Sequence, residues 1–325
     1  MKRAAAVLSL VSVVLSGASL LAQDKREHYT KAQFDQVLKQ VSNWGRWGND
    51  DQRGTLNLLT PARRKAAAAL VKEGFSVSMA RDLVSTKAVD NQTPLQDTMT
   101  LMVDEKFNVD TYTTSFHGFG SSHLDALAHT YYEGKLYNGY PDSLITAAGA
   151  TVLDTAVMKD GVFTRGVLVD IPLLRGVPFL EKTDVVTSKD MDAWEKKTGV
   201  HIGPGDAVAI RTGRWALRDT KGPWDIASAA AGLDPSVILW LKQRDPSMLI
   251  SDGAHDAIPS AVEGIDFPIH ILTIVGMGMP LADQCNLEDV AKQAQRLGRQ
   301  TFLLTLAPAR IKGGTGDLIN PIAVF

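Results

Sequence analysis

The stretch Gly166-Val167-Leu168-Val169-Asp170-Ile171 is a short apolar run closed off by a glycine and an aspartate. A strand with one wet face alternates apolar and polar residues, so a continuous run points to a strand covered on both faces. Working outward, the same reading applies to Asp206 to Ile210, Met248 to Ile250, Ile269 to Val275 and Gln300 to Leu306. Helices are expected between them. Thr60-Pro61 supplies an N-cap and a first-turn proline for a helix continuing through Ala66 to Lys72 and ending at Gly74. Ser188 precedes Lys189 to Lys197, stopped by Gly199, and Asn286 precedes Leu287 to Leu297, stopped by Gly298. Buried strands interleaved with helices predict an α/β architecture around a central sheet.

The chain has 325 residues, 45% hydrophobic and 22% charged, and its 34 Lys and Arg against 36 Asp and Glu leave a net charge of −2. Disorder would need fewer apolar residues and more net charge, and the scattered Gly and Pro follow no fibrous repeat. Without a basic surplus, no nucleic-acid partner is expected. The single cysteine, Cys285, can build neither an internal disulfide nor a thiolate zinc site, so any metal must be held by His and carboxylates. No linker, low-complexity tract or internal repeat interrupts Asp24 to Phe325, which predicts one domain over residues 23–325.

Residues 1–22 open with Lys2 and Arg3, run through apolar Ala4 to Leu15 and reach the small residues Ser16, Gly17, Ala18 and Ala22. This is the pattern of a signal peptide. Its apolar part falls short of the ~20 residues a bilayer requires, so the expectation is export, periplasmic or secreted, with no membrane attachment once cleavage after Ala18 or Ala22 has occurred.

Three of the seven histidines fall within Phe116-His117-Gly118-Phe119-Gly120-Ser121-Ser122-His123-Leu124-Asp125-Ala126-Leu127-Ala128-His129. In an extended segment His123 and Asp125 point the same way; if the chain then turns helical, Asp125 and His129 share a face. Either spacing can converge on one point. Imidazoles and a carboxylate suit a divalent ion such as zinc or manganese, whereas a lone histidine is more often a residue satisfied by hydrogen bonds. Three imidazoles and a carboxylate among small and apolar residues are costly to bury without a partner.

The segment Phe119 to His129 resembles the His-x-Gly-Thr-His-x-Asp-x-Pro-x-His signature of the metal-dependent cyclase-like hydrolases, a family that includes bacterial kynurenine formamidase and isatin hydrolase. Trp44 to Asn57, Tyr131 to Gly139, Gly205 to Gly213, Ser251-Asp252-Gly253, Pro268-Ile269-His270 and Leu281 to Leu287 are similar to the family in order and spacing. The resemblance implies a swivelling β/β/α fold, commonly a homo-oligomer, acting on a small-molecule amide, formamide or cyclic amide. It implies that His123, Asp125 and His270 ligate metal and that His129 is the general acid/base. Asp283 stands where the family usually has a glutamate ligand, one methylene longer. Phe119 occupies the place of a family histidine and cannot ligate, which favours a single ion held by His123, Asp125, His270 and Asp283. His117, two residues earlier, is a candidate substitute ligand; the other reading has it packing or facing solvent. Flat substrates suggest a stacking surface, for which Trp44 and Trp47 are candidates against the ordinary reading of core or interface tryptophans.

The resulting expectation is a metal-dependent hydrolase of a C–N bond in which a metal-activated water attacks. Two alternatives remain open: a non-catalytic periplasmic binding protein on the same fold, and a lyase or cyclase using the same ion. Gly276-Met277-Gly278 and Gly313 to Gly316 lack the Lys-Ser/Thr ending of a P-loop, and Ser121 and Ser122 lack the serine-hydrolase elbow. His255, His201 and His28 carry no assigned role.

Overall fold

The computed structural model describes residues 26–325; the proposed signal peptide lies outside them. Eleven strands are numbered here: β1 Ser76–Ser78, β2 Gln96–Met102, β3 Phe107–Thr113, β4 His123–Asp125, β5 Val162–Asp170, β6 Ala207–Arg211, β7 Met248–Ser251, β8 Leu281–Asp283, β9 Thr301–Leu306, β10 Gly316–Leu318 and β11 Ile322–Val324. Nine of them form one sheet in the order β1-β11-β9-β5-β6-β7-β8-β4-β10. The central four, β5 to β8, run parallel, while the flanking pairs are antiparallel.

Helices cover both faces: α1 Lys31–Val41, α2 Pro61–Ala68, α3 Ile171–Arg175, α4 Ser188–Thr198, α5 Arg214–Lys221, α6 Pro235–Lys242, α7 Pro268–His270 and α8 Glu288–Leu297. The continuous runs read from the sequence divide between two cores with the period of a strand. Val167, Val169, Val208, Ile210, Leu249 and Leu281 face one core with α1, α4, α6 and α7. Leu168, Ala207, Ala209, Met248, Ile250 and Ala282 face the other, with α8 and Phe302. Each Val, Leu, Ile, Met or Phe side chain among them taken out of water contributes roughly 1.5–3 kcal/mol, so both faces of the parallel strands favour this layering.

Two expectations are corrected. Ile269 to Val275 is helical: Pro268 starts α7, which runs on as a π-helix over Ile271–Met277. An all-apolar run is equally at home in a buried helix, and periodicity cannot separate the two when every residue is covered. The helix begun at Thr60-Pro61 ends at Ala68 instead of Lys72, capped at its start by Thr60 Oγ1 accepting from the Arg63 amide. The other two helices fall where expected, α4 ending at the left-handed Gly199 and α8 at the left-handed Gly298.

Outside the main sheet, β2 and β3 form a hairpin in which nearly every residue is exposed. Among the described residues no helix is long and apolar enough to cross a membrane.

Candidate metal centre and active site

β4 is paired on both sides, to β8 and to β10, and this register builds the site. His123 lies opposite Asp283 and Asp125 opposite Leu281, so the three polar side chains share the face that Leu281 presents to the first core. Leu124 and Ala282, one residue out of phase, enter the second core. On the other side of β4, Gly316 faces Asp125. A Cβ there would collide with the Leu124 carbonyl and the His117 ring, so the glycine admits that imidazole to the site. His270 descends from the end of α7, and His129 follows β4 in a turn whose amide bonds the Ala126 carbonyl.

Asp125 is fully buried at the centre. His117 Nδ1 is 2.8 Å, His123 Nε2 3.6 Å and His129 Nε2 3.8 Å from Oδ1, while His270 Nε2 is 3.4 Å from Oδ2. His270 Nε2 also lies 3.6 Å from Asp283 Oδ2. Neither Asp125 oxygen has a hydrogen-bond partner, nor does His117 Nδ1. Buried carboxylate oxygens without donors are costly. A divalent cation would relieve that cost, and the donor set suits one.

Among the described residues, two triads draw their ligand atoms within 4.8 Å of one another: His117, His123 and Asp125, and Asp125, His129 and His270. Of the set His123, Asp125, His270 and Asp283, His123 stands on the Oδ1 side of Asp125 and His270 on the Oδ2 side, where it also approaches Asp283. His117 stands on the Oδ1 side, and Phe119 contributes to the cavity wall. His123 Nδ1 donates to the Ser121 carbonyl at 2.9 Å, which leaves Nε2 free for the centre. His270 Nδ1 is likewise held, 2.5 Å from Asp256 Oδ2.

Burial alone would raise the Asp125 carboxyl, but the imidazoles of His117, His270, His129 and His123 outweigh it and hold the group well below the usual carboxylate range. Asp283 is lowered in the same way, with His255 and His270 overcoming burial. Burial pushes His129 down to about 4 against the pull of Asp125, so its imidazole is neutral at ordinary pH and able to accept a proton. His270 goes the other way: burial opposes its charge, but Asp125, Asp256 and Asp283 raise it well above the normal histidine value.

These groups open into a cavity of about 810 Å³ whose walls include Phe119, Tyr131, Tyr132, Ile265 and Phe267. Trp44 and Trp47 do not line it. Trp44 donates its indole N–H to the Val275 carbonyl at 2.7 Å and lies against Gly139, and Trp47 stacks under Arg46. The aromatic wall comes instead from residues just after His129 and just before His270. His255 and Asp256, given no role from sequence, lie buried behind Asp283 and His270. Their only signal is a tertiary contact, which spacing does not reveal.

The Cyclase family model matches residues 86–255, just over half of the chain. A crystal structure of a novel cyclase is similar at 29% identity and a TM-score of 0.80, covering 89% of this chain and 99% of that one. Isatin hydrolase A from Ralstonia solanacearum shares the fold at 19% identity and a TM-score of 0.58, covering 81% of this chain and 97% of its own. A predicted metal-dependent hydrolase from Bacillus stearothermophilus shares it at 13% identity and a TM-score of 0.50, over 78% and 98% of the two chains. No curated protein matches the chain. With the matched segment carrying His117, His123, Asp125, His129 and His255 on a sheet of this topology, the chain belongs to the Cyclase family.

Proposed function

We propose that the protein is a metal-dependent hydrolase that cleaves the C–N bond of an amide, formamide or cyclic amide, using a divalent ion such as zinc or manganese. The observation that carries this reading is Asp125, buried, with both oxygens free of donors and four imidazoles around it. His117 and His123 would hold an ion on its Oδ1 side, and His270 with Asp283 on its Oδ2 side. A bound divalent ion lowers the pKa of water and polarises a carbonyl.

His129, neutral and at the cavity wall, takes the proton of the attacking water and returns it to the departing nitrogen. Phe119, Tyr131, Tyr132 and Phe267 offer flat apolar area to a ring-bearing substrate and exclude water from part of the cavity. Among the described residues no Lys or Arg lines the cavity.

Elemental analysis of purified protein, together with turnover of N-formylkynurenine, isatin and a panel of cyclic imides, tests the proposal. At least one divalent ion per chain and hydrolysis that stops on chelation are expected. Protein that neither holds nor takes up an ion, and turns over none of the panel, overturns it.

The reading extends to an exported protein, supported by the pattern of residues 1–22, and to a homo-oligomer. The latter is supported by the β2–β3 hairpin, where Met99, Leu101, Phe107, Val109 and Tyr112 stand exposed on a two-stranded unit that has too little core of its own. A second copy of the chain covers it; light scattering that finds a monomer with the hairpin intact overturns this point.

A further inference from the structure

Behind the site, two consecutive residues reach two different groups of the centre. The chain leaves β7 through Asp252 and arrives at His255, whose φ of 56° is left-handed, a conformation uncommon for a residue other than glycine. Neighbouring side chains in an extended segment point in opposite directions. The left-handed turn at His255 breaks that alternation. His255 Nε2 stands 3.0 Å from Asp283 Oδ1, and Asp256 Oδ2 accepts from His270 Nδ1 at 2.5 Å while its Oδ1 accepts from the Ile269 amide at 2.6 Å.

Both side chains are inaccessible to solvent, and the backbone that carries them is wedged in place. Leu233 donates its amide to the His255 carbonyl at 2.7 Å, and Gly232 lies so close to Asp256 and Ala257 that a Cβ would collide with their backbone. The two groups they address, His270 Nε2 and Asp283 Oδ2, are 3.6 Å apart on the side of the centre facing Asp125 Oδ2. A strained backbone held by this many contacts is the kind of feature that persists where geometry matters.

We propose that His255-Asp256 is a positioning unit: His255 sets the orientation of the Asp283 carboxylate, and Asp256 fixes the His270 tautomer, so that Asp283 Oδ2 and His270 Nε2 are presented together to a divalent cation. Neither residue touches substrate in this role. With Nδ1–H given to Asp256, the second nitrogen of His270 is left as the electron-pair donor, and with Oδ1 turned to His255, Asp283 keeps Oδ2 for the centre. The inference rests on the metal reading of the proposed function.

The test uses the full chain, freed of metal by a chelator and titrated with zinc against a chromophoric competitor. His255→Asn keeps a residue that tolerates the left-handed backbone but is too short to reach Asp283; His255→Gln restores an N–H near the position of Nε2. Zinc affinity is expected to fall roughly 10–100-fold in His255→Asn and in Asp256→Asn, and to recover at least in part in His255→Gln. In ¹⁵N-histidine spectra of the zinc-loaded protein, an Nδ1–H of His270 protected by its carboxylate partner is expected in the parent and is expected to lose that protection in Asp256→Asn. This readout still decides if the His255 variants fail to fold.

Affinities in His255→Asn and Asp256→Asn equal to the parent overturn the inference alone. So do equal losses in His255→Asn and His255→Gln, or an Nδ1–H of His270 equally protected in the zinc-loaded parent and Asp256→Asn. A parent protein that takes up no zinc or manganese overturns the proposed function itself.

Discussion

His117 Nδ1 stands 2.8 Å from Asp125 Oδ1, yet neither atom has a hydrogen-bond partner. Side by side in this way, they offer a cation one nitrogen and one oxygen donor. His117, two residues before Phe119, thus occupies the Oδ1 side of the carboxylate.

From this relationship, His117→Ala is expected to weaken divalent-ion uptake by more than the roughly 10–100-fold that loss of an outer-shell partner costs. Phe119→Ala, which removes cavity wall and some packing against Leu217, Trp224 and Ile226 but no candidate ligand, should leave uptake unchanged and raise KM. Ion titration of both variants beside steady-state kinetics checks the contrast. Equal uptake in parent and His117→Ala would show that the imidazole packs without ligating.

His129→Gln should lower kcat by about 10²- to 10⁴-fold, the usual worth of a general acid/base, while leaving KM within a few-fold. The imidazole is driven below its ordinary range by burial, so in metal-free protein its ring protons should titrate near pH 4. Above that value the base form predominates. Proton NMR of the histidine ring resonances, compared with the His129→Gln variant, makes the assignment; titration near the ordinary value of about 6.5 would contradict the stated burial effect.

Gly316→Ala should damage the site and the fold together. The added methyl meets the Leu124 carbonyl and the His117 ring at once, and backbone cannot give way as a flexible side chain can. An overpacked site of this kind costs typically 1–3 kcal/mol, read as a lower midpoint in urea, with weaker ion binding beyond what the stability loss explains. Stability equal to the parent would mean that β10 moves away from β4 at little cost.

Cys285 is fully buried, and burial, with Asp283 and Asp252 nearby, raises its thiol well above the usual range. The group stays protonated across the pH range in which exposed thiols become nucleophilic. An aromatic disulfide reagent at pH 8 should leave the folded protein unlabelled and label one thiol per chain in denaturant. Rapid labelling without denaturant would show local opening around Leu281 to Leu287.

The parallel core was legible because Val167 to Val169 and Val208 to Ile210 are short continuous apolar runs closed by Gly or Asp, of the kind a doubly covered strand accommodates. Helix ends at Gly199 and Gly298 were legible because a left-handed cap demands such a residue. The run Ile269 to Val275 was misread, since complete burial removes the polar face by which a helix announces itself. At the site, the spacing of His123, Asp125 and His129 suffices to suggest convergence. The cavity's aromatic walls were not legible, because Phe267 and Tyr131 meet only after folding, and the tryptophans that looked suited to stacking are engaged elsewhere.

The strict two-residue rhythm of β4 has an evolutionary edge to it. His123 and Asp125 look into the chemistry while Leu124 looks into oil, so an insertion or deletion of one residue just before this strand would exchange the two surfaces in a single event. The centre would lose two of its groups at the moment the interior acquired them as unpaired charges. Drift in the preceding loop can thus change its composition far more freely than its length, and an inactive descendant with the loop resized should also be an unstable one.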